Sequence, residues 1–248
     1  MLKSHTMTGL ISSVPFEADL LLDSFKRKKI SAPLVEGTIG ERGKKAAYIC
    51  SGIGIANAAR AVAILAERKK PEAIFLFGIG GAYPSSGLKK GDLAAAEVEI
   101  YAEGGLIRGK GWAKTGGASK VQNYDGFRVL GFPLLKKDGK VFFSSFPLDR
   151  RLLKEAKKHI PDLRTGRFLT VCAAGRSTRK AGLLGAGYGA IVENMEGAAA
   201  AHTALFYGIP LIEIRGISNM AGEPPSKWRK QEAARNCQTA VLRLLEFL

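Results

Sequence analysis

The five residues Ala73-Ile74-Phe75-Leu76-Phe77 contain no polar side chain. A strand that is apolar at every position needs both of its faces covered, as in sheets held between two layers of helices. Pro210 to Ile217 reads as a second buried strand, which delivers Ser218 and Asn219 at its carboxyl end. Strand-like and helix-like stretches alternate around these two. Thr8 to Val14 reads as a strand. Pro15-Phe16-Glu17 turns it into an amphipathic helix carrying Leu20, Leu21, Leu22 and Phe25, with Lys26-Arg27-Lys28-Lys29 as its cationic carboxyl end. Leu34 to Ile39 and Ala46 to Cys50 form a hairpin around Gly40-Glu41-Arg42-Gly43. The turn Ser51-Gly52-Ile53-Gly54 then opens a long helix that Pro71 stops. Asp92 to Tyr101 and Arg167 to Ala173 are further strands, and Ser226 to Leu248 is a closing helix. The alternation predicts an α/β fold, a three-layer α/β/α sandwich with a mixed central sheet. One domain is expected over 8–248, after a disordered start at 1–7. The Gly- and Lys-rich stretch from Gly104 to Gly139 is expected to pass over the site.

Composition narrows the function. No apolar run reaches the roughly 20 residues that span a bilayer, and Met1 to Thr6 lacks the apolar centre of a secretory signal, so no membrane partner and a cytoplasmic location are expected. Cys50, Cys172 and Cys237 are scattered and form no CxxC pair, and His5, His159 and His202 share no ligand spacing. Buried structural thiols and no metal are expected. The net charge of +16 raises the question of nucleic acid. The basic clusters, however, are not interleaved with aromatics and match no nucleic-acid module. No specific nucleic-acid partner is expected.

Ligands of open α/β sheets bind beyond the carboxyl ends of the strands. Gly78-Ile79-Gly80-Gly81 lies there. It is followed by Tyr83-Pro84-Ser85-Ser86-Gly87, which is turn chemistry and not the helix a dinucleotide fingerprint requires. Ile79 and Gly80 are therefore candidates for close backbone approach to a sugar or base. Ser51 to Asn57 presents amides at a helix start, suited to an anion or a ribose hydroxyl, although simple close packing explains the glycines equally well. Glu196 sits where a strand-like approach gives way to an alanine-rich helix.

In chain order, a strand-turn-Glu, SGIG, GIGGAYPSSGLKKGD, ENMEGAAAA and RGISN resemble the nucleoside phosphorylase and nucleosidase superfamily. The resemblance is strongest to futalosine hydrolases, in GIGGAYPSSGL, ENMEGAAAAH and RGISNMAG followed by Trp228-Arg229. It implies a cofactor-free, usually homo-oligomeric enzyme, a dimer or larger, with a small-molecule nucleoside as partner. The reaction implied is N-glycosidic cleavage of futalosine to hypoxanthine and dehypoxanthine futalosine, in menaquinone biosynthesis.

Such a reaction passes through an oxocarbenium-like ribose. It needs a carboxylate to deprotonate water, a grip on the ribose hydroxyls and donors at the departing purine. The resemblance places Glu17 in the first role and Glu196 in the second, with Met195 packing on the ribose and Asn194 beside them. Ser218 and Asn219 stand where the family reads the purine. Asn219 replaces the Asp of nucleosidases that prefer 6-aminopurines, and an amide NH2 can donate to the O6 and N7 acceptors of hypoxanthine. Phe168, in the stretch to Ala174, is expected near the base. Lys227, Arg229 or Arg176 could meet a carboxylate on the substrate, or simply be solvated cations of the terminal helix. The phosphorylase element Gly-Asp-Pro-x-Arg is missing, its place taken by Ser12-Ser13-Val14-Pro15-Phe16-Glu17, which favours water over phosphate. The alternatives are a purine nucleoside phosphorylase, a methylthioadenosine-type nucleosidase, or a non-catalytic binder of nucleosides or nucleic acid.

Overall fold

The computed structural model describes residues 7–103, 128, 130–175 and 177–247. The expected disordered start, except Met7, and most of the expected excursion from Gly104 to Gly139 lie outside the described residues. The strands are β1 (Thr8–Ser12), β2 (Lys26–Ser31), β3 (Leu34–Ile39), β4 (Lys44–Cys50), β5 (Ala73–Ala82), β6 (Leu93–Tyr101), β7 (Leu135–Lys137), β8 (Lys140–Phe142), β9 (Ser145–Pro147), β10 (Arg164–Thr170), β11 (Ala190–Asn194) and β12 (Leu211–Met220). The helices are α1 (Asp19–Asp23), α2 (Ile55–Lys69), α3 (Arg150–His159), α4 (Thr178–Tyr188), α5 (Gly197–Tyr207) and α6 (Lys230–Phe247).

β5 organises the sheet. Its side chains alternate between two cores. Ile74 and Leu76 join Val62 and Leu65 of α2 and Ala200 of α5. Phe75 and Phe77 join Leu21 of α1, Leu152 of α3 and Val241 of α6. Helices on both faces explain why this segment has no polar position. β5 runs parallel to β1 on one side and to β12 on the other. Beyond β1 come β4, parallel to it, and then β3 and β2, both antiparallel to their neighbours. Beyond β12 come β6, β10 and β11, and β11 returns to pair antiparallel with β5, Glu193 opposite Gly81. The sheet is mixed, as expected, and it also closes on itself around its central strands.

Three local expectations change. The strand read at Ala73 to Phe77 does not stop there but runs on through Gly78 to Ala82, because β12 and β11 both pair with that stretch. Lys26 to Lys29 does not end a helix: α1 stops at Asp23, and the cations lie on β2, exposed at every position. An edge strand blunted with lysines is a common defence against unwanted pairing. The turn into β2 is held by Phe25, whose ring packs so closely on Gly37 that a Cβ there would lie 2.9 Å from it. Among the cysteines Cys237 is buried, Cys50 is partly buried and Cys172 is exposed, so the expectation of buried thiols fails at Cys172. His202 is a packed residue stacked on Phe146 at 4.4 Å between ring centres. Among the described residues no helix is long and apolar enough to cross a membrane.

Candidate active site

The carboxyl ends of β1, β5, β11 and β12 surround a cavity of about 200 Å³. It brings together Glu17, Ile79, Gly80, Asn194, Met195, Glu196, Ser218 and Asn219. Phe168 is not among its walls. That side chain is fully buried in the core between α2, α5 and the sheet, and Val171 and Ala174, at and beyond the end of β10, line the cavity instead.

Glu17 ends a 3-10 turn, Pro15–Glu17, directly after β1. Its Oε2 accepts the N–H groups of Ser13 at 3.0 Å and Val14 at 3.2 Å, and its Oε1 accepts that of Ile79 at 2.8 Å. Residue 78 is glycine for a steric reason, since a Cβ there would sit 2.6 Å from Oε1. Burial pushes the Glu17 pKa above the usual carboxylate value, against the Arg215 charge and the three backbone donors. The result is a fixed carboxylate of raised basicity.

Glu196 stands just before α5. Its Oε1 accepts the N–H of Gly54 at 3.0 Å, and its Oε2 lies 3.3 Å from Nη2 of Arg215. Gly54 precedes α2 with φ of +100°, a conformation for which glycine is suited, and this turns its N–H toward the carboxylate. The anion at that helix start is thus the protein's own Glu196. Asn194 holds the start of α5: its Oδ1 accepts the N–H of Glu196 at 2.9 Å and of Gly197 at 2.7 Å, while its amide donates to Glu99. Thr170 accepts the N–H of Ala198 at 2.7 Å and donates to Glu99 at 2.8 Å. Helix-start donors are thereby satisfied by side chains. The Asn194 side chain reaches the cavity wall but spends its polar atoms positioning Glu196.

Ser218 marks a break in register between β12 and β5, where Ile217 faces Gly80 and Asn219 faces Gly81. The bulge brings both polar residues to the site. Ser218 Oγ donates to Asn219 Oδ1 at 2.7 Å, and Asn219 Nδ2 donates to the Met220 carbonyl at 3.0 Å. An amide carries two hydrogens, so one donor remains for a ligand.

Four buried charged residues gained no role from the sequence. Arg215 is buried and binds Glu213 through Nε at 2.8 Å and the Ile79 carbonyl through Nη1 at 3.3 Å, besides its pairing with Glu196. Its signal was visible: Glu213 and Arg215 alternate inside an otherwise apolar strand. Glu99 and Glu213 are both fully buried, and burial with the neighbouring Glu213 raises the Glu99 pKa well above normal. A Cβ on Gly197 would collide with both carboxyl groups. Glu193 lines the cavity, and burial pushes its pKa up to about 7. At the mouth, Trp228 donates to the Glu223 carbonyl at 3.1 Å, and Lys230 sits 5.5 Å from its ring centre. Lys230 reaches the cavity and Lys227 and Arg229 do not; Arg229 pairs with Glu232 at 3.5 Å. Arg176 lies outside the described residues.

This fold and cavity define an enzyme that handles a small molecule at the carboxyl ends of its strands. A family model described as the Phosphorylase superfamily matches residues 8–246. The chain belongs to that superfamily. Futalosine hydrolase of Thermus thermophilus is 34% identical over 225 residues, covering 88% of this chain and 92% of that protein. A 5′-methylthioadenosine/S-adenosylhomocysteine nucleosidase of an Exiguobacterium species is 24% identical over 231 residues, 87% of this chain and 85% of that one. Among solved structures, the corresponding nucleosidase of Neisseria meningitidis, in complex with methylthio-immucillin-A, superposes with a TM-score of 0.80 at 20% identity, over 98% of this chain and 100% of that chain.

Proposed function

We propose that the protein, as one domain over 8–248, hydrolyses the N-glycosidic bond of futalosine, releasing hypoxanthine and dehypoxanthine futalosine for menaquinone biosynthesis. The observation that carries hydrolysis is the Glu17 carboxylate, held by three backbone N–H groups and facing the same cavity as Glu196 and Asn219. A carboxylate there repels phosphate and accepts a proton from water. Glu196, fixed between Gly54 and Arg215, accepts the ribose hydroxyls and stabilises the positive charge that grows on the ring. Met195 packs against the sugar. Asn219 offers its remaining N–H to the departing purine. The choice of futalosine draws support from the Thermus thermophilus relative and from that amide donor.

A methylthioadenosine-type nucleosidase is the second reading, favoured by the Exiguobacterium relative. Asn219 argues against it, because the 6-amino group of adenine is itself a donor. Incubation with futalosine, inosine, adenosine and methylthioadenosine, with and without phosphate, separates the readings. Hypoxanthine release from futalosine without phosphate is expected. A phosphate requirement, or preference for the adenine nucleosides, overturns the reading.

A cytoplasmic homo-oligomer belongs to the same proposal. The exposed thiol of Cys172 suits a reducing compartment. Exposed Ile53, at the cavity rim, and exposed Phe206, on α5 beside α2, offer apolar surface for a second copy. Sedimentation of the purified protein as a monomer counts against the oligomer.

A further inference from the structure

Cleavage of the C1′–N9 bond leaves both bonding electrons on the purine, which needs a proton to depart easily. The Asn219 amide can donate a hydrogen bond to the purine, but it has no proton to give up at neutral pH. Among the described residues, three carboxyl groups line the cavity: Glu17, Glu193 and Glu196. Glu17 accepts three backbone N–H groups, and Glu196 accepts the Gly54 N–H and pairs with Arg215, so the protein already uses both as acceptors. Glu193 has neither a backbone donor nor a cation among the described residues. Its neighbours are the Tyr83 hydroxyl and the Glu103 carboxylate, and Tyr83 in turn faces Glu99 and Tyr188.

We propose that Glu193 is the proton donor to the leaving purine, an assignment that rests on the hydrolase reading above. The sheet places it for this. Gly81 of β5 pairs with Glu193 of β11 on one side and with Asn219 of β12 on the other. A Cβ on Gly81 would lie 3.3 Å from Glu193 Oε1 and 3.1 Å from Asn219 Nδ2. The two side-chain heads converge over one glycine, too close for a side chain between them, so the edge of a base that meets one also meets the other. A 6-oxopurine presents O6 and N7 side by side on that edge. Asn219 donates to O6 while Glu193 faces N7.

The step balances. The C1′–N9 bond breaks and its electron pair passes into the purine. The proton on Glu193 moves to N7, giving neutral hypoxanthine and a Glu193 carboxylate. The water oxygen bonds to C1′, and its proton passes to Glu17. Solvent then removes the proton from Glu17 and returns one to Glu193. Burial pushes the pKa of Glu193 up to about 7, with Glu103 adding to the rise and Tyr83 opposing it. A general acid works best when its pKa lies near the working pH.

The test is steady-state kinetics on futalosine from pH 5.5 to 9 for wild type, Glu193→Gln and Glu193→Asp. Wild-type kcat should fall as pH rises above about 7, since the protonated acid is the active form. Glu193→Gln should lower kcat by about 10²–10⁴-fold with little change in KM, and should lose that falling limb. Glu193→Asp should recover part of the rate and retain a falling limb. A glutamine variant with wild-type kcat, a loss confined to KM, or a wild-type kcat that stays flat across the range overturns the assignment. The wild-type profile decides alone if neither variant folds. Failure of wild type to release hypoxanthine at any pH overturns the hydrolase reading and this assignment with it. Wild-type turnover matched by an unaffected variant overturns this assignment only.

Discussion

Arg215 and Glu196 meet at 3.3 Å with 1% and 5% of their side chains exposed. The same guanidinium binds Glu213 and opposes the rise that burial causes in the Glu17 pKa, so one cation serves three buried carboxyl groups. Such a group cannot be removed without leaving charge stranded in a low-dielectric interior.

Arg215→Leu should therefore destabilise the protein by about 3–5 kcal/mol at pH 7, the usual cost of breaking a buried ion pair from one side. Protonation of the orphaned carboxylates should soften the loss at pH 5. Urea unfolding at the two pH values checks both statements. A variant as stable as wild type at pH 7 removes Arg215 from this role.

Glu17→Gln keeps the shape of the side chain but cannot take a proton from water. Turnover should drop by about two to four orders of magnitude while an inert substrate analogue still binds. Near-normal turnover excludes Glu17 as the base.

Asn219→Asp places a carboxylate against the O6 acceptor of a 6-oxopurine. The 6-oxopurine reaction should lose about 3 kcal/mol of transition-state stabilisation, as for a lost donor in a closed site. The measurement is the ratio of kcat/KM for futalosine and its adenine counterpart in both proteins. An unmoved ratio means that Asn219 does not read the base.

Glu193 also makes a prediction about stability. Its folded-state pKa of about 7 lies above the unfolded value, so the native state binds the extra proton between the two. Stability from this group is full below the unfolded pKa and declines as pH rises through about 7. Glu193→Gln removes the titration. Relative to wild type, the variant should become more stable on going from pH 5 to pH 8, by on the order of 1–3 kcal/mol. Equal shifts of the urea midpoint in both proteins contradict the buried acid.

What the chain displays along its own length was legible without coordinates. The unbroken apolar run at Ala73 to Phe77 demanded covered sheet faces, and Glu17, Glu196 and Asn219 each sat at a strand end or helix start. These signals are local, because side-chain period and turn chemistry depend on near neighbours. Contacts between distant segments were not legible. The helix start at Gly54 faces Glu196, 142 positions away. The cations at Lys26 to Lys29 suited a helix end equally well until pairing with β3 made them an edge strand. Phe168 and Val171 are equally apolar in sequence, and only the sheet decides which one enters the core and which reaches the cavity. Glu193 meets Asn219 across Gly81 because β11 folds back onto β5. Residue type announces what a group can do; burial, charge and proximity, which set whether it holds a proton, exist only once the sheet has closed.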